Sequence, residues 1–259
     1  MPVNARGIAF DLVDLTAPWR EPAAPVILLH GIGANRLCWT EWVGVLCPHH
    51  PVIRCDLRGF GESAALPEAG DLLFELVADV VSLMPAGGQV HLVGESAGGT
   101  IMLATALRHP ERVRSLTLSN AAITGRRIGQ LDRWRPLFAQ GVAAWNAHMM
   151  ECRFAPGAIS EQAWAWYAAQ QGRTRPASAL AIADLLATLE LGEQLPTLQP
   201  DLLVLHPDAS PFVPLSVYDG LSAACPRAEL EVYRGVRHGL PFSHGYDCAR
   251  RLLAFLARH

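Results

Sequence analysis

The 259-residue sequence is poor in charge: charged residues make up 17%, the net charge is −3, and no basic cluster stands out. Nucleic-acid binding therefore has no electrostatic support. No uninterrupted apolar run reaches membrane-span length, which argues against a spanning helix. The N-terminal MPVNARGIAF has no long apolar stretch, so no signal peptide is expected. The six cysteines (38, 47, 55, 152, 225 and 248) contain no C-x-x-C pair, and no zinc-ligand spacing appears. They read as reduced, mostly buried thiols of a cytoplasmic protein rather than metal ligands or nucleophiles. No G-x-G-x-x-G follows any expected strand and no phosphate loop is present, so no cofactor is expected. Internal repeats and low-complexity tracts are absent as well. What the chain does have is hydrophobic residues, 51% of the total, enough for one large α/β domain or a core with an insertion.

Short apolar runs alternate with helical patterns through the first half. Residues 7–14 suggest an edge strand. Val26 to Leu29 and Val52 to Cys55 have the continuous apolar character of buried strands. Helices are expected at 38–46 and 71–83, a strand at Val90 to Val93, and another at Ser115 to Ser119. This rhythm predicts an α/β fold with a mostly parallel sheet. It stops at Asn120. From there to about Gln199 only helical runs are visible, near 131–150, 160–171 and 177–190, carrying Trp134, Trp145, Trp164, Trp166 and Tyr167. Strands resume at Asp201 to Leu205 and Glu229 to Tyr233, and a last helix covers 245–257. The expected organisation is a core of residues 1–119 and 200–259 with a helical cap, 120–199, over the carboxyl ends of the strands, where open α/β sheets bind ligands. Trp164 and Trp166, two apart on one helix, cannot both face a site beneath that cap.

The chemistry concentrates at Gly94-Glu95-Ser96-Ala97-Gly98, a G-x-S-x-G pentapeptide between an apolar strand and a helix. That context suits a nucleophile held on a strained turn, with glycines letting strand and helix approach. An acyl-transfer serine needs a base, an orienting acid and an oxyanion hole, in the chain order Ser, acid, His for this motif. His238, just after the last strand, is the candidate base, with His244 as competitor. The backbone N–H groups of Ile32, in the His30-Gly31-Ile32-Gly33 loop, and of Ala97 are the candidate oxyanion donors. Glu95 reads either as a charge at the elbow or as half of a structural ion pair.

Four stretches together resemble the α/β-hydrolase superfamily: HGIG (30–33), DLRGFGES (56–63), GESAGG (94–99) and RHG (237–239). They span the core almost end to end. The resemblance assigns the block beginning at Asp56 to a structural loop. Trp134-Arg135, Gly141 to Ala144 and Cys152 to Pro156 are similar to the cap of 3-oxoadipate enol-lactonases and related small-substrate esterases, although Cys152-Arg153-Phe154 stands where those enzymes usually read Arg-Trp-Phe. The resemblance also implies an aspartate after the strand ending at Leu205, ahead of a proline. If Pro211 and Pro214 set the register, Ser210 holds the acid's place and Asp208 lies two residues early. Because a serine carries no negative charge for the imidazolium, Asp208 is the expected acid, reaching His238 from a shifted loop. The alternatives are an acid from the end of the strand at Ser119, where uncharged Asn120 stands, or a Ser–His dyad oriented by Ser210 or water.

The expected function is a cofactor-free serine hydrolase acting on a small ester or lactone, possibly carboxylated, through an acyl-enzyme. Arg126, Arg127, Arg133 and Arg135 are candidate carboxylate partners. Carbon–carbon bond hydrolysis of the meta-cleavage type and a non-catalytic ligand-binding role are the alternatives. The expected partner is a small-molecule substrate, with no nucleic acid and no membrane, and the protein as a monomer or homodimer.

Overall fold

A computed structural model describes residues 2–258; Met1 and His259, the outer ends of the two expected core segments, lie outside the described residues. Seven strands form one sheet: β1 (Phe10–Val13), β2 (Val26–Leu29), β3 (Val52–Cys55), β4 (Val90–Glu95), β5 (Val113–Ser119), β6 (Asp201–Pro207) and β7 (Glu229–Tyr233). Their spatial order is β1-β3-β2-β4-β5-β6-β7; β1 runs antiparallel to β3 and every other pairing is parallel. β1 is shorter than the sequence suggests because Gly7, at φ +78°, turns the chain just before it.

Every residue of β2 and β4 is buried, which explains their unbroken apolar composition. Successive side chains leave opposite faces of a strand. Ile27, Leu29, Leu92 and Val204 therefore join one core, and Val26, Leu28, Val93 and Leu203 join the other. The first core is covered by α2 (Leu72–Val81) and α3 (Ala97–Arg108). The second lies under α1 (Thr40–Leu46) and the C-terminal helix, Gly245–Leu256. α2 begins where Asp71 accepts a hydrogen bond from the Phe74 N–H at 3.0 Å. All six cysteines are buried and unpaired. Among the described residues, no helix is long and apolar enough to cross a membrane.

Between β5 and β6 the chain is helical: α4 (Trp134–Ala139), α5 (Val142–Arg153), α6 (Glu161–Gln171) and α7 (Pro176–Thr188). The single run expected over 131–150 is broken, because Gly141 sits at φ +113°, a conformation no helix continues through, and α5 starts anew beyond it. Ser160 caps α6 through the Ala163 N–H at 3.2 Å, and Pro176 opens α7. After β6 come α8 (Leu221–Ala224), α9 (Leu240–Ser243) and α10, the C-terminal helix already described.

Candidate active site

Ser96 lies between β4 and α3 with φ +51° and ψ −120°, a backbone state that costs a non-glycine residue about 1–3 kcal/mol. The surroundings enforce it. The Ser96 N–H donates to the Ser119 carbonyl at 2.8 Å, and the Thr100 N–H donates to the Ser96 carbonyl at 3.1 Å. A Cβ at Gly94 would meet the Gly99 backbone at 2.5 Å, and one at Gly98 would run into the Leu29 carbonyl. The glycines are therefore what allows α3 to start this close to the sheet. The result is a serine side chain aimed off the carboxyl edge, 3.0 Å from His238 Nε2.

His238 lies in the loop between β7 and α9 and is 2% exposed. Its main chain is held at both ends: its N–H donates to the Cys152 carbonyl at 3.3 Å, and the Asn120 side-chain amide donates to its carbonyl. Asn120 takes a left-handed φ of +50° at the end of β5, with Ser119 Oγ donating to its Oδ1 at 3.0 Å. The sequence drew attention to this position only as an acid site lacking charge; the structure makes it a clamp on the histidine loop. The Phe212 ring packs edge-on against the imidazole at 4.8 Å. Burial pushes the His238 pKa well below its usual value, and the nearby Arg153 charge and His206 push it the same way. The ring is therefore neutral at pH 7, as a general base must be.

Asp208 is not the group that orients this ring. Ser210 Oγ stands 2.9 Å from His238 Nδ1. The reason lies in how far the sheet extends. β6 continues through Pro207, and the Asp208 and Ala209 N–H groups still bond to the carbonyls of Tyr233 and Val236, at 3.1 Å each. Asp208 is thus held beside the β7 end. Its carboxylate accepts the Gly235 N–H at 2.7 Å and lies 3.9 Å from the Arg234 guanidinium. The chain turns toward His238 only at Ser210, so the proline register gives the right position and the charged residue gives the wrong one. Ser210 Oγ also receives the Phe212 and Val213 N–H groups, at 3.4 and 3.3 Å. A hydroxyl can donate to Nδ1 or accept from it, so Ser210 fixes the ring's direction without imposing its tautomer.

The candidate oxyanion donors flank the serine. Ala97 is the first residue of α3, whose N–H has no partner within the helix. Ile32 follows Gly31, where a Cβ would meet the Ser96 Cβ at 2.9 Å, so this loop lies directly against the elbow. Fully buried His30 holds the loop, with Nδ1 at 2.7 Å from the Gly31 carbonyl and Nε2 accepting the Leu57 N–H at 3.0 Å. Asp56 accepts the N–H groups of Arg36 and Glu62 at 2.7 and 2.9 Å, which fits a structural loop. His244 contacts Ser243 Oγ at 2.9 Å and precedes α10, outside the group at Ser96.

Glu95 is half of a buried ion pair, and its partner is a residue that the sequence marked only as part of the Cys152-Arg153-Phe154 stretch. Arg153, at the end of α5, reaches Glu95 Oε1 at 3.0 Å with both side chains 3% exposed or less. From the helical segment, Trp134, Met149, Arg153 and Leu186 are among the residues that line a cavity with Ser96, Ile32, Phe212 and His238. The cavity volume is about 30 Å³. Trp164 and Trp166 lie elsewhere: Trp164 packs on Phe154, and Trp166 stacks on Phe242 with centroids 5.7 Å apart. Of the four arginines singled out as carboxylate partners, none lines this cavity; Arg126 lies 3.7 Å from Glu190, Arg127 bonds the Ser216 carbonyl and Arg135 pairs with Asp184. A larger open groove of about 440 Å³, bordered by Asn35, Glu62, Arg173 and Arg175, contains neither Ser96 nor His238. Among the described residues, no group of three or more His, Cys, Asp or Glu side chains is placed to hold a metal ion.

The chain is 27% identical over 251 residues to a pimeloyl-[acyl-carrier protein] methyl ester esterase of Vibrio vulnificus, covering 90% of this chain and 94% of that one. It is 28% identical over 270 residues to a 2-hydroxymuconate semialdehyde hydrolase of Pseudomonas sp. strain CF600, covering 98% and 93%. Among solved structures, the enol-lactonase from Burkholderia xenovorans LB400 superposes with a TM-score of 0.83 at 21% identity, covering 96% of each chain, a likeness of fold. The family model described as alpha/beta hydrolase fold matches residues 24–245, a span that includes the Ser96 elbow and the His238 loop, and the chain belongs to that family.

Proposed function

We propose that this protein is a cofactor-free serine hydrolase that cleaves a small ester or lactone through an acyl-enzyme. The observation that carries the reading is Ser96 Oγ at 3.0 Å from a buried, neutral His238, on a strained turn with the Ile32 and Ala97 N–H groups beside it. His238 Nε2 takes the Ser96 proton as Oγ attacks the carbonyl carbon. The two N–H groups receive the developing oxyanion. The imidazolium then protonates the leaving alkoxide. Water, activated by the same nitrogen, releases the acyl group and restores Ser96. On the far side of the ring, Nδ1–H donates to Ser210 Oγ, so the transient imidazolium faces a neutral hydroxyl. A slower chemical step than a carboxylate would give is expected.

The cavity favours a short, uncharged acyl group. Its walls at Ile32, Trp134, Met149, Leu186 and Phe212 are apolar, and its one guanidinium, Arg153, is already paired with Glu95. The helical segment over 120–199 acts as the lid of this cavity. A carboxylated substrate has no free partner there, which distinguishes this reading from the enol-lactonase resemblance. The full-length similarity to a 2-hydroxymuconate semialdehyde hydrolase supports a second reading, carbon–carbon bond hydrolysis by the same serine and histidine. A panel of p-nitrophenyl esters from acetate to octanoate, enol-lactones and vinylogous diketones, assayed at equal concentration, separates the two. Fastest turnover on acetate or butyrate is expected; turnover of the diketones alone would overturn the ester reading.

A further inference from the structure

The most buried charges near Ser96 belong to neither the nucleophile nor the base. Arg153 makes hydrogen bonds to three different parts of the molecule. One terminal nitrogen donates to Glu95 Oε1 at 3.0 Å. Nε donates to Gln171 Oε1, at the end of α6, at 2.8 Å. The other terminal nitrogen donates to the Ile32 carbonyl at 2.6 Å. The Tyr167 ring lies 5.3 Å from the guanidinium carbon. Gln171 is itself fully buried and donates to the Asn146 side chain of α5 at 2.7 Å. Glu95 Oε2, the other oxygen of the pair, accepts the Gly31 N–H at 3.2 Å.

These bonds meet at Ile32. The peptide carrying the Ile32 N–H is held at its oxygen by His30, and the peptide before it is held at the Gly31 nitrogen by Glu95. The peptide after it, ending at Gly33, is held at its oxygen by Arg153. Gly33 has φ +81°, so the loop contains a residue that tolerates peptide rotation at little steric cost. If the Ile32–Gly33 peptide turned over, its oxygen would be free to swing toward the site and the neighbouring N–H would lose its direction. A full guanidinium fork sunk between α5, α6 and the elbow prevents that. The arrangement is also directional: His30 and Glu95 come from the core, whereas Arg153 and Gln171 come from the helical segment.

We propose that Arg153 is a positioning residue for the oxyanion hole, its guanidinium locking the Ile32 carbonyl so that the N–H faces Ser96 only when the helical segment is docked. The inference rests on the reading of Ile32 as an oxyanion donor. It makes docking of that segment a condition for chemistry as well as for substrate enclosure. The Glu95–Arg153 pair supplies the register: an arginine that left Ile32 would also leave a buried carboxylate uncompensated, which strongly disfavours half-docked states.

Three variants test this, read by kcat and KM on p-nitrophenyl acetate, by thermal melting, and by labelling with a fluorophosphonate. Arg153→Lys keeps the charge beside Glu95 and loses the fork; kcat should fall about tenfold with KM within about threefold and melting near wild type. Arg153→Gln should lower kcat about a hundredfold, the loss seen when one oxyanion donor is removed, and should also lower the melting temperature. It should move the acid limb of kcat/KM upward, because the guanidinium opposes protonation of His238; the other titratable neighbour of that ring is His206 on β6. The double variant Glu95→Gln with Arg153→Met removes both buried charges. It should regain much of the melting temperature and none of the kcat. Recovery of kcat together with melting would show that Arg153 merely balances a buried charge, and the proposal would fall. So would a folded variant of any of the three with wild-type kcat. A wild-type protein that the fluorophosphonate leaves unlabelled would instead overturn the serine-hydrolase reading beneath it.

Discussion

The group behind His238 offers the sharpest perturbation. Ser210→Asp would put a carboxylate where a hydroxyl now lies 2.9 Å from Nδ1. The site is already furnished for an anion, since the Phe212 and Val213 N–H groups point at Ser210 Oγ from 3.4 and 3.3 Å. A hydrogen bond between neutral groups contributes about 1 kcal/mol net, and one to a charged group about 1.5–3. The difference of about 1–2 kcal/mol applies once His238 becomes an imidazolium, so it acts on the transition state rather than on bound substrate. At about 1.4 kcal/mol per decade, kcat should rise about 5- to 30-fold with KM little changed. The carboxylate should also enforce the Nδ1–H tautomer and raise the His238 pKa, moving the acid limb of the pH–rate profile upward from its position well below 6.5. Stopped-flow or steady-state hydrolysis of p-nitrophenyl acetate from pH 4 to 9 reads both effects. Asp208→Asn is the control and should stay within about twofold of wild type, because Asp208 serves the Gly235 N–H. A folded Ser210→Asp protein at or below wild-type kcat, alongside a tenfold or greater loss in Asp208→Asn, would refute the assignment of Ser210.

Two further outcomes follow from packing and burial. Trp134 is 4% exposed and walls a cavity of about 30 Å³, so Trp134→Leu should lengthen the acyl chain accepted; the octanoate-to-acetate ratio of kcat/KM should rise about tenfold, and an unchanged ratio would mean that Trp134 does not limit the pocket. Burial, the leading influence, pushes the His206 pKa down to about 4, with the Val213 backbone and the Asp208 charge opposing it, while the unfolded chain protonates near 6.5. The unfolded state then binds more protons between those values, so stability is full above about pH 6.5 and is lost as pH falls toward 4. His206→Leu should flatten that slope by about 1 kcal/mol per pH unit in urea titrations at pH 7 and 4.5, with His30, His50 and His238, also pushed down by burial, contributing to what slope persists.

The sheet was legible because its strands are buried on both sides and read as continuous apolar runs, as in β2 and β4. The glycines around Ser96 were legible for a similar reason, since an elbow this tight leaves its mark on neighbouring positions. The orienting group of His238 was harder. The sequence offered Ser210 by register and Asp208 by charge, and the choice turned on one ladder contact, the Asp208 N–H to Tyr233, that keeps β6 straight for one residue more. Of the Glu95–Arg153 pair only one member was legible: Glu95 reads as half of a structural ion pair, and its partner was not identified. The two lie 58 positions apart on different layers, and nothing local distinguishes a buried arginine at the end of α5 from the solvated ones before it. The break at Gly141 also escaped, because the apolar periodicity continues across it and only the positive φ reveals the turn.

The most direct measurement of the central claim is covalent capture of the nucleophile. Incubation with a fluorophosphonate, followed by peptide mass spectrometry, should place one adduct on Ser96, at a rate that falls as His238 protonates. Ser96→Ala should remain folded, take up no label, and lose all but about one part in a thousand of wild-type kcat on p-nitrophenyl acetate. An adduct on another residue, or a folded Ser96→Ala protein that keeps more than about a tenth of the wild-type rate, would contradict the account.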